Sequence, residues 1–581
     1  MVAAKKADFE QIGKECGISP FLARIIRNRG ILGAEETRRF LNGTPEELYD
    51  PNRLYGTEAA AEMIRKNIRE KHRIRIIGDY DVDGISSTYI LIRTLEFCGA
   101  IVSHRLPDRV LDGYGMNEQM VREAVNDGIG LIVTCDNGIS ASGPVALARE
   151  NGISVIVTDH HEIPFEETEN GERRLILPPA DLVIDPKLPG SYPFPEICGA
   201  AVAYKLCLQL LRQGEKENDF STCRCEDLLE LRTELLGFAA LATVCDVMPL
   251  LDENRILVRY GLKACEKTGN IGLRALLSVT GLLGKKLSAY HAGFVIGPCL
   301  NASGRLDSAE RALSLFVQKD EAEALRIAQS LKELNENRKE MTLQGERKAL
   351  EIIETKQMNK DKVLVLFLKD CHESLAGIIA GRVKERFYRP TFVLTETEEG
   401  KAKGSGRSIE GFDMFEAMTR CRDLFEKFGG HAMAAGVTLS RENIEPFRER
   451  INGCCCLKEE DLCETLHIDM ELPLEFADLL LTQELGLLEP FGTGNSRPLF
   501  VTRDIGLESV RVMGKNRNVL KFQGRSQNGK YADIILYTSP EQVPELMQAI
   551  PCRIHMVYYP EVNEWQGRRQ VQYIMKDYRL L

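Results

Sequence analysis

Four segments in the first 250 residues place acidic or imidazole side chains directly after an apolar stretch. They are GDYDVDG with Asp79, Asp81 and Asp83; CDNG with Asp136; TDHH with Asp159, His160 and His161; and CDVMP with Asp246. Two of the leads, Ile129–Cys135 and Ile153–Thr158, are short and almost unbroken apolar runs, the pattern of strands buried on both faces of a parallel sheet. A third, Arg73–Ile77, alternates isoleucine with arginine and belongs nearer an edge. Helical stretches between the leads make repeated βαβ units. Ligands of such sheets bind beyond the carboxyl ends of the strands. The spacing therefore predicts that the four segments meet at successive strand ends on one crevice.

Each segment has a plainer reading when taken alone. An Asp at a strand end caps the next helix or shapes a turn, Asn137-Gly138 is a turn dipeptide, and a His-His pair suits a surface loop. Their recurrence points elsewhere, because three carboxylates crowded into GDYDVDG repel one another unless a cation sits among them. Hard carboxylate oxygens with one or two imidazoles suit Mn²⁺ or Mg²⁺, and shared carboxylates suit a two-ion hydrolytic centre. The residues thus predict a metal-dependent phosphoesterase.

A chain of 581 residues exceeds one core and divides into several domains. No apolar run reaches the length of a membrane span, and the start, MVAAKKADFEQIGKE, lacks a signal-peptide core, so a cytoplasmic protein without a membrane partner is expected. The 17 cysteines lie mostly inside apolar runs, and Cys223-Arg-Cys225 and Cys454-Cys455-Cys456 lack paired CxxC spacing, which argues against a structural zinc site. A net charge of −11 speaks against a general nucleic-acid coat protein, whereas a nuclease needs only a local basic groove. RVKERFYR (382–389), KAKGSGR (401–407) and the stretch 511–525 are candidates for it, or plain solvated faces.

Composition and periodicity divide the chain into an α-helical leader (1–50), a βαβ region (51–316), a helical connector (317–360), a second α/β domain (361–457) and a β-rich end (461–581). The connector is rich in Ala, Leu, Glu and Lys and reads as one long helix or a helical pair. In the second α/β domain, 362–368, 390–396 and 433–439 read as strands and 375–387 as a helix; 412–428 reads as an amphipathic helix stopped by Gly429-Gly430. After a helical stretch, LEFADLLLTQELGLLEP, the end carries six short strand-like pieces with Gly and Asn turns, which suggest a small barrel. Lys515, Arg517, Lys521 and Arg525 interleave there with Phe522, Tyr531 and Tyr537, a mixture that suits single-stranded nucleic acid, although a plain barrel core accounts for the aromatics nearly as well.

On these motifs the chain resembles the DHH phosphoesterase superfamily, whose signature is the triplet Asp159-His160-His161, and within it the single-strand-specific DNA exonucleases. CGAAVAYKL (198–206), IGPCLNASGRLDSAERAL (296–313), GSGRSIEGFDMFEAM (404–418), GGHAMAAG (429–436), LEPFGTGNSRPLF (488–500) and NEWQGRR (563–569) extend the likeness over nearly the whole chain. It implies a multidomain α/β protein with a parallel-sheet DHH domain, a long helical connector, a DHH-associated α/β domain and an OB-like barrel. It also implies two ions, Mn²⁺ or Mg²⁺, with Asp81, Asp83, Asp136, His160 and Asp246 as principal ligands, Asp136 as the bridge and Asp79 as a further ligand. His161 completes the catalytic set as a ligand or a contact to the scissile phosphate, and Asp159 orients a neighbouring imidazole. Ser405, Arg407 and His431 from the second lobe, with Asn301 and Arg305 from the first, would hold substrate phosphate.

The implied activity is 5′→3′ hydrolysis of single-stranded DNA to 5′-mononucleotides in recombination and repair, by in-line attack of water on phosphorus. The implied partners of this monomer are single-stranded DNA, a single-stranded-DNA-binding protein and a RecQ-type helicase. The chain departs from its relatives at Cys299, where an Arg is usual and a phosphate contact is lost, and at Ser374, where a Gly is usual. Two alternatives stay open. One is a phosphodiesterase of oligoribonucleotides or a cyclic dinucleotide, whose relatives generally lack the barrel. The other is a silent DNA-binding scaffold like the superfamily's relative in the replicative helicase, against which the intact aspartates speak.

Overall fold

The computed structural model describes the chain except residues 1–4, 110–111, 168–172, 218–224 and 566; Cys223 and Gln566 therefore lie outside the described residues. Among the described residues no helix is long and apolar enough to cross a membrane.

The first lobe is built on five parallel strands, β1 (Arg73–Ile77), β2 (Ile101–Arg105), β3 (Ile129–Cys135), β4 (Ser154–Thr158) and, after a small hairpin of β5 (Phe165–Glu167) and β6 (Arg173–Leu175), β7 (Leu182–Ile184). Their order is β2-β1-β3-β4-β7. The apolar leads are strands because both their faces are covered. Leu131, Val133 and Cys135 pack under the helices Val82–Phe97 and Gly199–Lys216, while Ile132, Val155 and Val157 pack under Glu118–Asn126 and Ser142–Glu150. β1 lies one position in from the edge, and Arg75 is buried there because Ser103 Oγ (2.8 Å) and Asp127 (2.6 Å) accept its hydrogen bonds. One expectation fails: Asp246 follows no strand. Its apolar lead is the end of a 21-residue helix, Cys225–Cys245, packed among neighbouring helices and therefore apolar nearly all round.

The helix Glu321–Thr355 runs unbroken for 35 residues, about 52 Å at the α-helical rise. Ala324, Ile327, Ala328 and Leu331 join the first lobe's core, whereas Ala349 and Ile353 join the second lobe's. The second lobe holds β8 (Leu364–Phe367), β9 (Thr391–Glu396), β10 (Ala402–Arg407), β11 (Lys427–Gly430) and β12 (Ala434–Leu439) in the order β11-β12-β10-β9-β8. The helix expected over 412–428 is only Met414–Thr419, followed by a 3₁₀ turn and then β11. Tertiary packing overrides local propensity here: Phe425 is drawn to Phe447, with ring centroids 4.9 Å apart, and Gly429 and Gly430 pair with Gly436 and Ala435 instead of ending a helix. GSGR is likewise no turn, lying within β10 between β9 and β12.

The C-terminal strands are β13 (Met470–Glu471), β14 (Phe500–Met513), β15 (Val519–Arg525), β16 (Tyr531–Leu536), β17 (Cys552–Trp565) and β18 (Arg568–Leu580), and pairing of β14 with β17 closes the barrel. The segments 498–504 and 508–514, read as separate strand-like pieces, belong to one 14-residue strand, because Arg503, Asp504 and Glu508 sit in bulges and not in a turn, while Ile505 and Leu507 between them enter the core. The expected helix before the barrel is limited to Leu479–Leu485 and one 3₁₀ turn.

The N-terminal helices Pro20–Asn28 and Gly33–Asn42 place Leu22, Ile25, Ile26, Phe40 and Leu41 in the same core as Phe500, Ile505 and Leu488. Arg255, buried in the first lobe, ties this union down. Its guanidinium donates to the main-chain carbonyls of Phe40 (2.5 Å), Leu488 (2.8 Å), Glu489 (2.8 Å), Leu487 (3.1 Å) and Pro490 (3.5 Å) and lies 3.8 Å over the Phe40 ring. Burial, and then Arg259 and Arg29 nearby, lower its pKa to about 9.

Candidate metal centre

The GDYDVDG turn is tight because it contains only what fits. A Cβ at Gly78 would collide with Thr88 Oγ1, and one at Gly84 would sit 2.5 Å from the Asp79 main chain. Asp81 does cap the helix Val82–Phe97, its Oδ1 accepting from Asp83 N (2.9 Å) and Gly84 N (3.2 Å). Asp83 is held differently. Both its oxygens accept main-chain N–H groups, from Gly199 and Ala200 at 2.7 Å each, where the helix Gly199–Lys216 begins.

Asp136 follows β3 in the left-handed region, φ 62°, with the usual residue there being Gly, Asn or Asp. Three neighbours hold it so. Gly199 leaves room, since a Cβ there would lie 2.7 Å from the Asp136 Cβ. The Asn137 amide donates to Ile77 O (3.0 Å) and Cys135 O (2.9 Å), and the Tyr114 hydroxyl donates to Asp136 O (2.8 Å). Asp159, fully buried after β4, accepts from His161 Nδ1 (2.7 Å), His160 N (2.8 Å) and Ile139 N (2.9 Å), so it orients His161. Tyr114 also lies 3.0 Å from His161 Nδ1.

These strand ends bring the side chains together. His160 Nε2 lies 3.1 Å from Asp136 Oδ1, 3.5 Å from Asp83 Oδ2 and 3.7 Å from Asp246 Oδ2. Three groups of donor atoms each fall within 4.8 Å: Asp79, Asp81 and Asp136; Asp136, His160 and His161; Asp83, His160 and Asp246. Asp136 and His160 are each shared by two of them. Asp79 Oδ1, His160 Nδ1 and Asp246 Oδ2 are buried without a hydrogen-bond partner. Burial and then neighbouring carboxylates push Asp79 and Asp136 well above the usual range, raise Asp83, and take Asp246 to about 8. Asp159 goes the other way: burial opposes its charge, but the His161 bond holds it low, and His161 itself is raised to about 9 despite burial, chiefly by Asp159. Orphaned hard donors around crowded carboxylates fit two divalent cations of the Mn²⁺ or Mg²⁺ kind.

The sign of the pH dependence follows. Asp79, Asp83, Asp136 and Asp246 have folded pKa values above the unfolded one, so in the metal-free protein their contribution to stability is greatest when protonated. It is lost as pH rises from 3.8 through, for Asp246, about 8. Adding Mn²⁺ should therefore raise the melting midpoint more at about pH 8 than at about pH 5.5, since binding must displace protons at the lower pH. Calorimetry at both values checks this; an increment that does not grow with pH contradicts the electrostatic reading.

The second lobe brings β10 within electrostatic reach of Arg109 on the first. The Arg407 guanidinium lies over Gly377, where a Cβ would come within 2.8 Å of its Nη2, and donates to Gly406 O (2.8 Å). Arg305 donates to Ser374 O (2.8 Å) while the Ser374 hydroxyl returns a bond to Arg305 O (3.0 Å), so the departure at Ser374 laces the two lobes together. Burial, then Arg109, lowers the pKa of both arginines, Arg305 to about 10. Ser405 neighbours Arg407 on β10, its Cβ also near Gly377. His431, in the turn between β11 and β12, is exposed and lies within electrostatic reach of Glu162 on the first lobe, whose pKa is lowered first by its bond from Lys187.

Asn301 is engaged in structure, its Oδ1 accepting from Val82 N (3.1 Å) and bracing the GDYDVDG turn. Cys299 faces the connector helix, where the Asn335 amide donates to its sulfur (3.5 Å). Asn137 was read only as half of a turn dipeptide, and Tyr114, Gly199 and Gly377 were not singled out from sequence. Only Gly199 left a signal, in the small-residue start of CGAAVAYKL.

Family models match along the chain: the DHH family N-terminal domain at residues 73–243, the DHHA1 domain at 360–455 and the RecJ OB domain at 468–577. The single-stranded-DNA-specific exonuclease RecJ of Bacillus subtilis is 35% identical over 573 residues, covering 98% of this chain and 69% of the relative. That of Haemophilus influenzae is 32% identical over 581 residues, covering 98% and 97%. Among solved structures, RecJ from Thermus thermophilus in complex with Mn²⁺ superposes with a TM-score of 0.80 at 28% identity, covering 98% of this chain and 77% of that one.

Proposed function

The chain belongs to the RecJ family of single-stranded-DNA-specific exonucleases, and on that premise we propose that it removes 5′-mononucleotides from the 5′ end of single-stranded DNA, in recombination and repair. The observation that carries the reading is the sharing of Asp136 and of His160 between groups of clustered metal-type donors.

Asp81, Asp83, Asp136, His160 and Asp246 would hold two Mn²⁺ or Mg²⁺ ions, with Asp79 a further donor. When bound, such ions lower the pKa of the attacking water and offset charge on the leaving oxygen. His161, held by Asp159 through Nδ1, serves as a further donor to the ions or as a contact to the scissile phosphate. Ser405, Arg407 and His431 clamp the phosphate from the second lobe and Arg305 from the first. Asn301 and Asp159 are positioning residues, acting through Val82 and His161. Family likeness supports 5′→3′ polarity, a single-stranded-DNA-binding protein and a RecQ-type helicase as partners, a monomer, and the cytoplasm as its place.

End-labelled single- and double-stranded DNA and RNA, incubated with Mn²⁺, Mg²⁺ or EDTA, test the proposal. Metal-dependent shortening of single-stranded DNA from its 5′ end is expected. Cleavage confined to short RNA or cyclic dinucleotides would favour the phosphodiesterase alternative, and binding without cleavage the scaffold.

Arg407→Ala should leave metal content unchanged and slow single-turnover cleavage by about 30- to 1,000-fold, as for loss of one oxyanion donor. Lysine should restore only part, since it lacks the planar fork that holds phosphate by two bonds. Wild-type cleavage by Arg407→Ala would mean that the guanidinium never meets substrate.

A further inference from the structure

Between the helix ending at Cys245 and the helix carrying Asn301 and Arg305, the chain makes one π-helical turn, Ala292–Ile296. It follows the short helix Ala289–His291 and leads directly into Gly297–Leu306. The turn rests on the residues that precede Asp246. Cys245 Sγ donates to Ala292 O (3.5 Å), a Cβ at Gly293 would lie 3.5 Å from Val244 Cγ1, and one at Gly297 would lie 2.5 Å from Cys245 Sγ. Single π turns are rare in helices and concentrate at functional sites.

The outer side of this turn is aromatic. Tyr290 and Phe294 stack on one another, with centroids 5.1 Å apart and planes 20° apart, yet they are 62% and 68% exposed. Single exposed apolar residues are ordinary, but two stacked rings held in water form a patch that folding alone does not call for. Val247, immediately after Asp246, is also 66% exposed and holds φ 59°, a conformation costly for a β-branched residue. An apolar ledge thus flanks a member of the metal-donor groups. Asn301 and Arg305 follow Phe294 by 7 and 11 residues in the same continuous helical run, so the run presents rings first and polar groups next. Those polar groups meet the GDYDVDG turn at Val82 and the second lobe at Ser374.

We propose that Tyr290 and Phe294 form a stacking platform for nucleobases of the strand held at the metal centre. The proposal rests on the single-strand reading above and adds a physical source for the discrimination. Every unpaired base offers a flat π face, so aromatic stacking binds single strands without regard to sequence. In a duplex those faces are already stacked on neighbouring base pairs and cannot reach the platform without unpairing. Phosphates lie along Arg305 and the metal donors while bases turn toward the rings. Continuity of the rings with the helix carrying Arg305, and with the residues leading to Asp246, selects a nucleic-acid strand over a protein as the occupant.

The test is equilibrium binding, read by fluorescence anisotropy with 3′-labelled oligonucleotides in Ca²⁺, so that it does not depend on cleavage. Wild-type protein is measured on an intact strand and on strands with one abasic residue moved stepwise from the 5′ end. Y290L/F294L, which keeps apolar volume and removes the rings, is measured on the same set, with its melting midpoint recorded. Abasic substitution at one or two adjacent positions should weaken wild-type binding about 10-fold or more, and the variant should bind the intact strand about 10- to 100-fold more weakly. The variant should also lose the abasic effect, since both changes remove the same contact. Absence of a position-dependent abasic effect in the wild type overturns the platform whether or not the variant folds. A variant that still distinguishes intact from abasic strands, or one altered only in self-association, overturns it as well. Ring-dependent binding without metal-dependent cleavage would keep the platform and overturn the exonuclease reading instead.

Discussion

Asp136→Asn is expected to lower single-turnover cleavage by about 1,000-fold or more while the protein stays folded. One carboxylate serves two of the three donor groups, so its loss weakens both ion positions at once. Asparagine is the informative replacement because φ is 62° at this position; alanine would add about 1–2 kcal/mol of left-handed strain and confuse folding with chemistry. Removing one charge from a crowded cluster should also raise the melting midpoint of the metal-free protein, since the neighbouring carboxylates then lose a repelling partner. Metal content, melting midpoint and cleavage in Mn²⁺ decide the matter. A folded variant with near-normal hydrolysis would show that Asp136 does not bridge.

Arg255→Ala should cost on the order of 4 kcal/mol or more, because it strands five buried or half-buried carbonyls at once and opens the space above Phe40. The damage should be shared by two stretches far apart in sequence. Amide exchange is expected to rise together in the N-terminal helices and in the loop 487–490, and barrel strands sharing their core should follow. Arg255→Lys should rescue little, for one ammonium cannot span carbonyls arranged around a planar fork. Exchange confined to the first lobe, or an unchanged melting midpoint, would show that the union of helices and barrel does not depend on this residue.

What the sequence revealed follows from the range of the interactions involved. The parallel strands were legible because a strand covered on both faces is apolar along most of its length, and Ile129–Cys135 and Ser154–Thr158 nearly are. Asp246 was grouped correctly with the other donors but given the wrong support, since the end of a helix packed on all sides is as apolar as a buried strand. The contacts of Asp83 with Gly199 and Ala200 span 116 and 117 residues, and no local pattern announces a carboxylate seated on a distant helix start. The residues around 412–428 have helical periodicity, yet their aromatic rings are claimed by other elements and the chain turns into a strand. The phosphate-clamp assignments came from family likeness and not from spacing, because GSGR looks the same as a turn and as a strand until its neighbours in the sheet are known.

The long helix Glu321–Thr355 sets a rule for how this protein can vary over evolution. Its first half is keyed into the first lobe through Ala324, Ile327, Ala328 and Leu331, and its second half into the other through Gly345, Ala349 and Ile353. Each residue inserted between the two keyed halves would swing everything beyond it through about 100° and carry it forward by about 1.5 Å. Arg407 would then point away from the carboxylates, although every pocket on each side remained intact. Point changes on the outer surface of this helix are free, but its length is not. Insertions and deletions between the two keyed halves should therefore be selected against in relatives, because even seven or eleven residues, which nearly restore the phase, would move the second lobe along the helix by about 10 to 16 Å.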